Sequence, residues 1–141
     1  MLVDARGTPL SLVVTGAHRH DVTQLEPVLD ALVITRPQVT ARAPQHLCAD
    51  AGFTGKPADA AIRQRGYVPH VRPRGEEKRQ RAQGKKPRRW VVEVAHSWFN
   101  RFRKLLVRYE KTHRSYLAMN MLAAAIICFR KVHAKINIIY G

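Results

Sequence analysis

Up to about residue 71 the apolar residues fall in short runs divided by turn formers, and from about residue 90 they recur at helical spacing. Met1-Leu-Val, a turn at Asp4-Ala-Arg-Gly7 and the run Pro9-Leu-Ser-Leu-Val-Val14 predict a hairpin with a short first strand. A loop over residues 15–21 follows. Thr23-Gln-Leu-Glu26 has capping-box spacing and predicts a helix to about Val33, with Leu25, Val28, Leu29 and Leu32 on one face. Residues 35–45, with Pro37 and Pro44, read as a linker. Gln45-His-Leu-Cys-Ala-Asp50 is a short apolar strand ending on an acid, and Ala51-Gly52 turns the chain. A helix from about Pro57 to Arg65, closed by Gly66, leads to a strand at Tyr67-Val-Pro-His-Val71. Strand, helix and strand at this spacing predict a parallel pair with a right-handed crossover. Residues 72–89 read as a basic loop, two helices at about 90–109 and 115–133 follow, and residues 132–141 form a tail.

On a helical projection of the 90–109 segment, with Glu93 at the origin, Val94, Trp98, Phe102, Leu105, Leu106 and Tyr109 span about 100° to 220°. Val91, Ala95 and Phe99 lie in or beside that arc, which is the side expected to be buried. Arg89, His96, Ser97, Asn100 and Lys104 surround Glu93, so one acid stands on a polar and basic stripe interrupted by Val107.

The chain has 141 residues, 45% of them hydrophobic, enough for one domain with a core of its own. The fold class expected is α/β, with a short mixed sheet and C-terminal helices. Cys48 and Cys128 match no metal-ligand spacing and read as buried small hydrophobes in a reducing, cytoplasmic setting. The apolar stretch Leu117–Phe129 falls short of the ~20 residues of a membrane crossing, so a core helix and no membrane partner are expected. The first residues carry no secretory h-region.

Charge changes the picture most. Lys and Arg number 25 against 10 Asp and Glu, and residues 63–114 alone hold 17 basic and 4 acidic residues, or +13 of the net +15. Such a surface attracts polyanions, nucleic-acid phosphates above all, with a salt-dependent affinity. Lys85, Lys86, Arg88, Arg89, Arg101, Arg103, Lys104 and Arg108 are the candidate phosphate contacts, with Arg101 and Lys104 favoured for their place near the Glu93 stripe.

Two acids stand out as candidate metal ligands. Asp50 follows a strand, where open α/β sheets place their sites, although an Asp there also serves as a turn former. Glu93 has the competing reading of an Arg89–Glu93 pair on a solvated face. An oxygen-only pair suits Mg²⁺ or Mn²⁺. His18, His20 and Asp21 read as surface and capping groups, Asp21 as a helix start, and Trp98 as core.

Val3-Asp-Ala-Arg-Gly-Thr-Pro-Leu10, Gly16-Ala-His-Arg-His-Asp21, Leu47-Cys-Ala-Asp-Ala-Gly-Phe53, Arg88-Arg-Trp-Val-Val-Glu93, the run from Trp98 to Leu106 and Arg108-Tyr-Glu110 together resemble bacterial insertion-sequence transposases of the DDE type, in the insertion-sequence-five-like branch. The resemblance covers about residues 2–131. It implies an RNase H-like fold and three carboxylates, Asp, Asp and Glu, holding two divalent metals, with Asp50 as the second Asp and Glu93 as the Glu. The first Asp is expected on a strand upstream of the motif at Val3-Asp4, so the chain reads as a truncated catalytic domain without its first catalytic strand. Arg89 matches the Arg four before the Glu, whereas Lys86, Asn100 and Val94 replace the Tyr, Lys and Arg of related signatures.

The resemblance implies DNA transposition by metal-dependent strand cleavage and transfer, with this chain inactive alone. Its partners would be insertion-sequence ends, target DNA, and the missing N-terminal half or another transposase chain. The alternatives are a non-catalytic basic nucleic-acid-binding module and another nuclease of the same fold.

Overall fold

The computed structural model describes residues 1–16, 18–71 and 90–137. The basic loop expected at 72–89, with Lys85, Lys86, Arg88 and Arg89, lies outside the described residues. The chain divides into two compact units, one of residues 1–14 and 91–141 and one of residues 15–90.

In the first unit, β1 (Leu2–Val3) and β2 (Pro9–Ser11) form the expected antiparallel hairpin. Its turn is shaped by Asp4, whose Oδ1 accepts from the N–H groups of Thr8 (2.7 Å) and Arg6 (2.8 Å). Gly7 sits at φ 75°, a conformation that suits glycine, and a Cβ there would stand 3.2 Å from the Val91 carbonyl oxygen.

The predicted helix 90–109 is two helices, α3 (Trp90–Asn100) and α4 (Arg103–Leu106). The N–H groups of Arg101 and Phe102 bond the carbonyls of Trp98 and Phe99 three residues back, and Phe102 then turns extended (φ −85°, ψ 98°). That break resets the helical phase. Val91, Ala95, Phe99 and Leu105 are buried, while Leu106 and Tyr109, expected on the apolar arc, are exposed. The long helix α5 runs over His113–Asn137, beyond its expected end. Leu12, Phe99, Leu105, Ala123 and Ile127 form the core, with Trp98, Phe102 and Tyr116 packed against it.

Only one stripe of α5 is core. Met121, Leu122, Phe129 and Val132 on other sides are exposed, and the window His113–Val132, with mean hydropathy 1.3, is long and apolar enough to cross a membrane by length and composition. The polar residues at 113–116 belong to the same helix, which is why the helical segment is longer than the apolar run read from sequence.

The second unit contains α1 (Leu25–Asp30), β3 (Gln45–Ala49), α2 (Lys56–Gln64) and β4 (Tyr67–Val71). β3 and β4 pair in parallel from Gln45↔Tyr67 to Ala49↔Val71, as the crossover spacing predicts. Ile62, fully buried, joins Leu25, Leu29, Leu47, Ala58 and Ala61 in the core. Gly66 closes α2 at φ 75°. The capping box does not form: Asp21–Gln24 is a 3-10 turn, and the Thr23 hydroxyl donates to the His20 carbonyl at 2.7 Å. Among the described residues the strands make two separate two-stranded sheets, one antiparallel and one parallel, in place of one mixed sheet.

Candidate nucleic-acid and metal site

Asp50 ends β3 and caps the 3-10 turn Ala51–Phe53, its Oδ1 accepting from the Gly52 N–H at 2.8 Å. It is thus a turn former and also an exposed carboxylate at the C-terminal end of a parallel strand. Beside the turn lies an open groove of about 510 Å³ lined by Phe53, Thr54, Lys56, Asp59, Arg63 and Val71, among others. Asp59 and Arg63 are paired there at 2.6 Å.

Glu93 occupies the first turn of α3, exposed, where the helix dipole favours a negative charge. Its rotational place matches the projection: Val91 and Ala95 point inward, and Glu93, His96, Ser97 and Asn100 point outward. Partial burial of its ring lowers the proton affinity of His96 below the usual imidazole range. Asp50 and Glu93 belong to different units.

Arg101, Arg103, Lys104 and Arg108 are all exposed on the connection from α3 to α5, and among the described residues none is ion-paired. Arg108 stacks over the Tyr116 ring with Cζ 4.8 Å from its centroid. The helix break removes the periodicity argument that set Lys104 on the Glu93 stripe.

Cys48, expected to be buried, is exposed. Leu47 turns into the core of its unit, so alternation sends His46 and Cys48 to the other face of β3. There His46 Nδ1 lies 2.7 Å from His70 Nε2, and Cys48 stands in register with His70. This pair was missed from sequence; the available signal was the parallel register, which places residues 46 and 70 on one face. Cys128 is half-buried, its Sγ 3.7 Å from the Pro9 carbonyl oxygen, and its thiol is raised chiefly by burial. Trp98 packs against the core as expected, with Lys131 Nζ 4.1 Å above its ring. Glu110, in the Arg108-Tyr-Glu110 motif, lies just ahead of α5. Its Oε2 is shielded from solvent and has no hydrogen-bond partner among the described residues.

Among the described residues no group of three His, Cys, Asp or Glu could hold a metal ion. The donors present still fit a hard divalent cation one ligand at a time: both candidate carboxylates are exposed, and Asp50 has only one oxygen engaged.

A family profile described as transposase DDE domain matches residues 47–130, a span that contains both Asp50 and Glu93. A Burkholderia cepacia protein assigned as the transposase for insertion sequence element IS402 is 35% identical over 131 residues, 92% of this chain. The chain spans 61% of that relative's length. No solved structure gives a significant match. By its match over residues 47–130, the chain belongs to the transposase DDE domain family.

Proposed function

We propose that this chain is part of an RNase H-like transposase catalytic domain that acts on DNA, with Asp50 and Glu93 as two of its metal-binding carboxylates. The observation that carries this reading is the family match, whose span includes both acids.

Bound Mg²⁺ or Mn²⁺ would supply activation of the attacking oxygen and charge relief at the leaving oxygen of an in-line displacement at phosphorus. The chain's own groups do the rest. The Gly52 N–H fixes one oxygen of Asp50 and aims the other outward. The first turn of α3 holds Glu93 in solvent, clear of the core. Arg101, Arg103, Lys104 and Arg108 grip phosphates, which positions DNA without reading its sequence. Lys85, Lys86, Arg88 and Arg89 are proposed to join them. Asp4 Oδ1 serves the hairpin turn, accepting from the N–H groups of Arg6 and Thr8. The polypeptide 1–141 is expected to bind DNA, with any strand cleavage dependent on Asp50 and Glu93.

Incubation of the polypeptide with DNA carrying insertion-sequence ends and Mn²⁺ tests this. Salt-sensitive binding is expected, with any nicking abolished by Asp50→Ala; a salt-independent affinity, or nicking that survives Asp50→Ala, would overturn the reading. Asp50→Asn and Glu93→Gln should reduce divalent-metal binding. If both leave metal binding unchanged, the basic nucleic-acid-binding module is the better reading.

A further inference from the structure

The outward stripe of α3 carries a second kind of donor. Glu93 and His96 are three residues apart on one helix, so their side chains share a face one turn apart. Burial of Val91, Ala95 and Phe99 fixes the rotation independently and leaves both groups exposed. The neighbouring Ser97 hydroxyl is engaged with the Val94 carbonyl at 2.7 Å, so Glu93 and His96 are the two strong donors of the stripe. A Glu-x-x-His pair on one helix face is a recurrent way of presenting a carboxylate oxygen and an imidazole nitrogen to one metal.

We propose that Glu93 and His96 together bind one divalent ion, His96 adding a nitrogen donor to the carboxylate and leaving the other positions to water or phosphate oxygen. This rests on Glu93 being a metal ligand and extends that reading to the identity of the ion. A mixed oxygen and nitrogen pair favours Mn²⁺, Co²⁺ or Zn²⁺, whereas Mg²⁺ keeps to oxygen ligands.

The test is calorimetric titration of the polypeptide 1–141 with MnCl₂, CoCl₂ and MgCl₂, for the native sequence, His96→Ala, His96→Gln and Glu93→Gln, each checked for native helix content. The visible Co²⁺ spectrum serves as a second readout. We expect both His96 variants to weaken Co²⁺ and Mn²⁺ binding about tenfold or more, to alter the Co²⁺ absorption and to leave Mg²⁺ within about twofold. Glu93→Gln should weaken all three ions. If Glu93→Gln weakens binding and the His96 variants do not, the His96 assignment fails while the metal role of Glu93 stands. If no variant changes binding, both fail. An equal loss of Mg²⁺ and Co²⁺ in the His96 variants would also overturn the proposal, since a structural role would not discriminate between ions.

Discussion

Arg65, which closes α2, holds Asp30 at the end of α1 by two bonds, 2.7 Å from Nε and 2.8 Å from Nη2. The same guanidinium reaches Glu26 at 3.0 Å and the Ala61 carbonyl at 3.1 Å, while Arg36 donates to the Arg65 carbonyl at 2.6 Å. One side chain thus ties α1 to α2. Arg65→Ala should lower the melting temperature by a few degrees, a modest loss because the partner carboxylates are exposed. Arg65→Lys should recover part of this, since one ammonium cannot copy the fork. Thermal melts followed by circular dichroism measure both.

Acid should loosen both units. The Arg65 hydrogen bond holds Asp30 below its ordinary value of 3.8. Burial would raise Asp4, but the N–H groups of Thr8 and Arg6, the Thr8 hydroxyl and the Lys131 charge together hold it below that value too. A depressed folded value means stability fully present above the unfolded value and lost as pH falls through the folded one. Melts at stepped pH should therefore show the loss at and below about pH 4, and Asp30→Asn should flatten the profile.

Among the described residues Ile62, on α2, is the largest fully buried side chain, 0% exposed. Its truncation to Ala should cost about 2–5 kcal/mol and to Val about 0.5–1.5 kcal/mol. Urea denaturation gives the difference directly.

The exposed cations from Arg101 to Arg108 predict a salt-dependent grip on duplex DNA. Each Ala substitution at Arg101, Arg103, Lys104 or Arg108 that removes a phosphate contact should reduce the slope of log affinity against log salt by about 1, similarly for all sequences. Fluorescence anisotropy over a salt series reads this. Unchanged slopes in all four variants would remove these residues from the interface.

Local chemistry made much of the fold legible. Asp4 and Gly7 are turn residues with mechanisms, and Gly66 marks the end of α2, so the hairpin and the parallel crossover could be read directly. Phe102 could not: it is apolar and in phase with Trp98, so nothing in the spacing signals that its backbone turns extended. Cys48 was misread because a short apolar strand does not announce which face is covered. Thr23 had the spacing for a cap, but its hydroxyl found the His20 carbonyl first. Of the candidate site, Asp50 and Glu93 could be singled out as exposed acids at a strand end and a helix start, whereas the His46–His70 contact depends on strand register.

The interruption at Arg101–Phe102 separates two jobs that a continuous rod would have joined. In an unbroken helix, inserting one residue near position 101 would swing every following cation by about 100° relative to Glu93. Across a hinge already turned extended, the arginines and lysines downstream can drift, be swapped or be re-spaced while the acid stays anchored by Val91, Ala95 and Phe99. On the proposed reading, the cations offered to phosphate vary here without disturbing the carboxylate.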